Sequence, residues 1–423
     1  INDIDGIEHA VKTTGASEVI IAMPSAPAER IRFIVETCKD LQIKYRIVPN
    51  MGELINGKVS VSAIRDVEYR DLLGRDPVVL DKERIQTCIS RKVVLVSGAG
   101  GSIGSELCKQ ICRYEPEKII LLERAESPLY EIDLQLKRDF DRTQIIPVLS
   151  DVQDKEELEK VFEEFRPHMV FHAAAYKHVP MLELHPWKAV ENNILGTENI
   201  VEVSDRFGCE KFVLVSTDKA VNPSSVMGTS KRVAELIVQN RNACTPTKTH
   251  FITVRFGNVI GSVGSVIPLF KKQIKQGGPV TVTHPDMIRY FMLIPEACQL
   301  ILQSSAMGNG GEIFILEMGE PVKIDDMARD LIRFSGFEPD VDIHVEYTGL
   351  RPGEKLYEEL MTPDEDVIPT GHEKIMVLNS RTCDMELVFS EIKTLKESAR
   401  RQDRATIIKL LKKMVPEYVE LDN

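Results

Sequence analysis

Short apolar runs and helical patterns alternate along this chain. The stretches KVVLVSGAG, KIILLER, QIIPVLSDV, HMVFHAAA and KFVLVST each hold a near-continuous apolar run bounded by Gly, Ser, Asp or charged residues. Such runs predict strands buried on both faces, as in a parallel sheet. Between them lie segments such as SIGSELCKQICRY, whose apolar residues recur at helical spacing. From Arg91 onward this alternation predicts an α/β fold, a doubly wound parallel sheet. Earlier, GIEHAVKTTGA and APAERIRFIVETCKDLQI read as helices, and SEVIIAMP and KYRIVPN as strands. They predict a truncated N-terminal α/β domain over 1–75, joined by a linker over 76–90 to a main domain over 91–423. Beyond Arg255 the pattern loosens into Gly/Pro turns and short elements, which predicts a smaller C-terminal substrate lobe over the carboxyl edge of the sheet. The stretch from Cys383 to Tyr418 reads as helices with a charged face.

Composition narrows the classes of partner. The 423 residues suffice for more than one domain, and the formal net charge is −12. No basic stripe offers a nucleic-acid surface, so none is expected as a partner. The 8 cysteines include no CxxC pair and read as reduced thiols, with Cys108 and Cys112 as small buried residues of a helix and no metal site. No apolar run reaches the roughly 18–20 residues of a membrane span. The chain opens at Ile1 in mid-pattern and reads as a soluble fragment of a longer protein.

SGAGGSIG sets Gly98, Gly101 and Gly104 at GxxGxxG spacing between a strand and a helix. Glycines allow the tight turn and close approach to a pyrophosphate, and the first helical turn, Ser102, Ile103 and Gly104, aims its N–H groups at the anion. Glu123 ends the next strand, where an acidic side chain binds ribose hydroxyls and favours NAD. Arg124 beside it could instead hold the ribose phosphate of NADP. Asp151, with Val152 following, ends the third strand. It suits either the adenine amino group or a helix N-cap.

GAGGSIG, SDV, HAAAYKHVP, NNILGT, STDKAVNPSSVMGTSK, RFGNVIGS, IRYFMLIPEA and LRPGEKLYEEL together resemble the extended short-chain dehydrogenase/reductase superfamily. More narrowly, they resemble the bacterial polysaccharide-biosynthesis nucleotide-sugar 4,6-dehydratases, of the large membrane-anchored type. The resemblance runs from about Lys92 to the C-terminus. One departure from the superfamily stands out: Met227 occupies the place of the usual tyrosine ahead of Lys231. The resemblance implies UDP-N-acetylglucosamine as substrate and a tightly held nicotinamide cofactor. It implies oxidation at carbon 4, loss of water across carbons 5 and 6, and hydride return to carbon 6. The product would be UDP-2-acetamido-2,6-dideoxy-α-D-xylo-hexos-4-ulose, made for surface glycans. It also implies membrane-spanning helices ahead of Ile1, a place on the cytoplasmic face of the inner membrane, and a homo-oligomer.

Roles follow from that chemistry. A thioether exchanges no proton, so Met227 cannot replace the phenol, and Thr217 is assigned to the carbon-4 hydroxyl within a relay through water or Asp218. Lys231 is assigned to the nicotinamide ribose. Asp218 and Lys219 are expected to perform the elimination, the carboxyl protonating the leaving hydroxide and the amine, with its pKa lowered, taking the carbon-5 proton. His172, Ala173 and Ala174 are expected to line the cofactor and Lys177 to lie near the sugar nucleotide. Tyr176 and His178 are read as packing residues, and Asn193 as a buried amide tying strand ends together. Asn258, Arg289, Arg351 and Glu354 are assigned to the uridine diphosphate, with Glu354 on ribose hydroxyls. Two other readings remain: a nucleotide-sugar 4-epimerase, or a sugar-nucleotide sensor without turnover.

Overall fold

The computed structural model describes residues 6–23, 26, 28–48, 65, 67–73, 75, 78–244, 247–362, 367–378 and 385–421. Residues 49–64 of the expected N-terminal domain and 76–77 of the expected linker lie outside these. The chain forms two compact units, one of Ile1–Pro77, Gly264–Met287 and Val322–Gly349, the other of the remainder.

The first unit contains the expected elements of the N-terminal stretch: helices Ile7–Thr14 and Ala28–Asp40, and parallel strands Glu18–Ile21 and Lys44–Ile47. Its described N-terminal strands form one parallel pair. Two strands bury too little surface to stand alone, and the unit takes in two segments from beyond residue 255. Those segments carry helices Val266–Lys275 and Ile324–Phe334 and the parallel strand pair Val280–Val282 and Val345–Tyr347. Arg32 donates to Asp330 at 2.9 Å within this unit, and Tyr69 is buried.

The second unit carries the predicted sheet. Its strands are β1 (Val93–Ser97), β2 (Lys118–Glu123), β3 (Gln144–Leu149), β4 (Met169–His172), β5 (Lys211–Val215), β6 (His250–Arg255), β7 (Ile313–Leu316), β8 (Val367–Pro369) and β9 (Ile375–Leu378). They lie in the order β3–β2–β1–β4–β5–β6–β7–β9–β8. The first seven run parallel, while β9 and β8 add an antiparallel edge. Alternate residues of β1 feed two cores: Val93 and Leu95 face one, Val94 and Val96 the other.

Helices cover both faces, as a doubly wound sheet requires. On one side pack α1 (Lys82–Ile89), α2 (Ser102–Cys112), α3 (Glu126–Asp139) and α7 (Ile294–Met307). On the other pack α4 (Lys155–Phe165), α5 (Gly196–Arg206), α6 (Val226–Cys244), α8 (Met385–Arg400) and α9 (Arg404–Met414). α1 occupies the stretch expected to be linker. Asp81 caps it by accepting from Arg84 N, and Ile85 and Ile89 are fully buried. The order places the switch point between β1 and β4, where adjacent crossovers diverge to opposite faces and leave a crevice at the carboxyl ends. Among the described residues, no helix is long and apolar enough to cross a membrane.

Candidate active site

At the switch point β1 ends and the chain turns through Gly98, whose φ is 70°. A Cβ on Gly98 would lie 2.8 Å from Ala174 Cα, and one on Gly104 would lie 2.0 Å from the Gly98 carbonyl oxygen. Both positions therefore require glycine, and the backbones of β1 and β4 approach closely where Gly98 meets Ala173 and Ala174. α2 starts with Gly101 as its N-cap and no side-chain cap, which leaves its first turn to an anion. Ser102 Oγ accepts from Val263 N at 3.2 Å, and the Ile103 carbonyl accepts from the Cys298 thiol.

Glu123 locks this turn from the end of β2. Its carboxylate accepts from Gly100 N at 3.1 Å and from Arg124 N and Ala125 N at 3.0 Å. A carboxylate offers about four acceptor positions, so room remains for a hydroxyl. The Arg124 guanidinium lies 4.4 Å over the Tyr176 ring and 3.6 Å from Asp151. Asp151 is not the helix cap. That role belongs to Asp154, which accepts from Glu157 N at 3.0 Å. Asp151 instead accepts from Gln153 N at 3.0 Å. Val152 is buried against Gly196, so its side chain serves the core, and its carbonyl accepts from Asn199.

His172 is buried in the sheet layer, bonded to Ser97 Oγ at 2.7 Å and Thr197 Oγ1 at 3.0 Å. Burial, with the Lys231 charge, depresses its pKa to about 3, so it stands neutral and braces β4. Lys231 donates to the Val215 carbonyl at 2.9 Å. Burial pulls its ammonium down to about 8. Met227 sits in the hydrophobic core at the start of α6, 3% exposed. Asn193, in a π-helical turn, accepts from Tyr176 N and donates to the Tyr176 carbonyl and Ser230 Oγ. It ties the chain after β4 to α6, close to the expected bridging role. Lys177 donates to Ser262 Oγ at 3.3 Å, its pKa lowered by burial.

Beyond β5 the expected pair comes together. Thr217 Oγ1 donates to Asp218 Oδ1 at 2.8 Å, and Lys219 Nζ donates to the same oxygen at 3.0 Å. Asp218 is fully buried, and its Oδ2 has no hydrogen-bond partner. Lys219 also donates to Asn258 Oδ1 at 3.0 Å. Asn258 thus holds the lysine through its carbonyl oxygen. Burial pushes the Lys219 ammonium down, but the carboxylates of Asp218 and Glu358 outweigh it and the net shift is upward. That reverses the lowered amine expected of a base.

A cavity of about 110 Å³ opens beside this pair, lined by Lys219, Ser224, Arg289, Arg351, Glu354 and Glu358 among others. Its volume is below the roughly 300–1,000 Å³ of whole-ligand pockets. Arg289 is 6% exposed and donates to the carbonyls of Lys355, Ile288 and Leu356 at 2.6, 2.7 and 3.0 Å. Much of its fork is spent on the loop that carries Glu354 and Glu358. Ser224 and Glu358 escaped the sequence reading. Glu358 stands within the quoted LRPGEKLYEEL, but nothing local distinguishes it from Glu359, which faces outward to Lys355 and Asn222.

Beneath the site, Glu235 on α6 joins three elements. It accepts from Ser216 Oγ at 2.7 Å and from Arg255 Nε and NH2 at 2.8 Å, and Arg232 adds a bond at 3.0 Å. Burial pushes the carboxyl up, but Arg255, Arg232 and Ser216 outweigh it and hold the pKa at about 2.

A family model described as polysaccharide biosynthesis protein matches residues 94–380. The capsular polysaccharide biosynthesis protein CapD of Staphylococcus aureus is 49% identical over 373 residues, covering 88% of this chain. The chain spans 62% of that relative's length. A UDP-N-acetylglucosamine 4,6-dehydratase (inverting) of Campylobacter jejuni is 33% identical over 279 residues, 65% of this chain and 79% of the relative. Among solved structures, Pen from Bacillus thuringiensis aligns with a TM-score of 0.64 at 32% identity, covering 69% of this chain and 90% of that one.

Proposed function

The chain belongs to the polysaccharide biosynthesis protein family, and we propose that it is a UDP-N-acetylglucosamine 4,6-dehydratase. The observation that carries this reading is the Asp218–Lys219 ion pair at the carboxyl end of β5, beside a cavity lined by Arg289 and Arg351. An epimerase on the same sheet removes no water and has no use for such a pair. Incubation with UDP-N-acetylglucosamine should give a product lighter by one water in mass spectrometry. An isomer of unchanged mass would make the chain an epimerase, and unaltered substrate would favour a sensor.

The glycine turn and the uncapped start of α2 fit a dinucleotide pyrophosphate, and the remaining acceptor position of Glu123 fits a ribose hydroxyl. NAD suits the site better than NADP, because a 2′-phosphate would meet the Glu123 carboxylate while Arg124 is engaged by Asp151. Lys231 would hold the nicotinamide ribose. Bound there, NAD supplies the acceptor for the hydrogen of carbon 4 and its return to carbon 6.

The chain's own groups move the protons. Thr217 takes the carbon-4 hydroxyl proton and passes its own to Asp218 across the 2.8 Å bond. Arg351 and Glu354 bind the nucleotide portion, with Arg289 holding their loop. Lys219, kept as an ammonium, is the acid that protonates the departing hydroxide, the reverse of the division of labour expected from sequence. Met227 takes no part beyond packing. Met227→Leu, which keeps volume, should therefore keep most of the turnover. Thr217→Val keeps shape but loses the relay, and should lose about 10²-fold or more, as general acid–base groups do. Steady-state product formation by the two variants checks this; Met227→Leu inactive beside normal Thr217→Val would contradict it.

A further inference from the structure

The turn 217–225 leads from β5 to α6 and carries Thr217, Asp218 and Lys219. The loop 351–359 carries Arg351, Glu354 and Glu358, which line the same cavity as Lys219. Far apart in sequence, the two segments are bonded directly to each other. Lys355 Nζ donates to the Val221 carbonyl at 3.3 Å and to Glu359 Oε2 at 3.0 Å. The same Glu359 oxygen accepts from Asn222 Nδ2 at 3.2 Å. Ser224 Oγ donates to the Gly353 carbonyl at 2.9 Å. The segment 419–421 closes the junction from behind. Val419 N donates to the Pro223 carbonyl at 3.1 Å, and Gly353 N donates to the Leu421 carbonyl at 3.2 Å.

Asn222 shows why this turn needs holding. Its φ is 40°, in the left-handed region, and Pro223 follows it. Asparagine tolerates that region better than most side chains. A backbone bent this way keeps its shape only where the surroundings over-determine it. Glu359 fixes the Asn222 side chain, and Lys355 fixes the carbonyl just before it. That carbonyl belongs to buried Val221, and leaving it unpaired would cost its full desolvation. Lys355 lines the cavity, with two of its three donors given to Val221 and Glu359.

We infer that Lys355 is a positioning residue: with Glu359 it clamps the turn that carries Lys219 to the loop that carries Arg351 and Glu354. For the reaction it serves, this rests on the dehydratase reading. A nucleotide sugar gripped by the loop must present its reacting carbons to Asp218 and Lys219 on the turn. The clamp fixes the distance between these two sets of groups. It touches neither the reacting atoms nor the proton path. A misplacement of about 1 Å in such a register can cost about 10²-fold in rate, even when the groups that bind the substrate are intact.

The test compares wild type with Lys355→Met, Glu359→Ala and the double variant. Lys355→Met should lower kcat for water loss by about 10–10²-fold, with KM and the calorimetric Kd for UDP changed only a few-fold. Glu359→Gln, whose amide oxygen can still accept from Asn222, should keep more turnover than Glu359→Ala. The double variant should be little slower than the worse single one, because both changes open one clamp. Without any ligand, amide exchange over residues 219–222 should quicken in Lys355→Met while exchange in β1 stays as in wild type. That contrast separates a loosened turn from a loosened protein. A rise in KM and Kd at unchanged kcat would make Lys355 a substrate contact and overturn the clamp. So would losses that multiply in the double variant, or wild-type exchange in the turn. A wild-type protein that releases no water from the nucleotide sugar would remove the dehydratase reading alone, and amide exchange in the turn would still decide the clamp.

Discussion

Lys219→Met is expected to lower the rate of water loss by about 10²–10⁴-fold while UDP-N-acetylglucosamine still binds. The side chain donates to Asp218 at 3.0 Å, and it lines the cavity. Methionine keeps most of the stem and removes the proton donor, so carbon 6 would have to expel hydroxide unassisted. Asp218→Asn should suffer a comparable loss by a different route. An amide keeps the size but cannot hold the proton relayed by Thr217, and it leaves Lys219 without its nearest counter-charge. Product formation at saturating substrate, with calorimetric binding alongside, separates these effects from loss of affinity. Both variants dehydrating at wild-type rate would remove the proposed acid–base pair.

Arg255→Met is expected to destabilise the main unit by roughly 3–5 kcal/mol, because it strands a buried carboxylate. Arg255 is 1% exposed and Glu235 is fully buried, so no water replaces the two lost bonds. Arg232, at 3.0 Å, offsets only part of the cost. The same pair predicts a pH window. The Glu235 carboxyl, at about 2 when folded against 4.5 as the ordinary value, has a depressed pKa. Its contribution is therefore complete above about pH 4.5 and lost as pH falls toward 2. The urea midpoint should drop in Arg255→Met, and the variant should lose less stability on acidification than wild type. A midpoint equal to wild type would show that the pair is energetically idle.

The sheet was legible because a strand buried on both faces must be apolar without interruption, and Val93–Ser97, Lys118–Glu123 and Lys211–Val215 nearly are. Gly98 and Gly104 were legible for a similar reason, since each position leaves no room for a Cβ. Choices between equivalent side chains were not. SDVQD contains two aspartates, and the start of α4 decides that Asp154 caps it. EKLYEEL contains three glutamates, and the turn of an irregular loop decides that Glu358 faces Lys219. Against burial, the Lys219 pKa is raised first by Asp218 beside it and then by that distant carboxylate, and only the first of these could be read from STDK. Likewise, no local pattern announces that 264–287 and 322–349 join the N-terminal unit, because that grouping rests on contacts such as Arg32–Asp330.

The most direct measurement uses UDP-N-acetylglucosamine carrying deuterium at carbon 4. Internal redox followed by elimination predicts a product that has lost one water and carries that deuterium at carbon 6, whatever the solvent. A product of unchanged mass, or one dehydrated with no deuterium at carbon 6, would contradict the 4,6-dehydratase account.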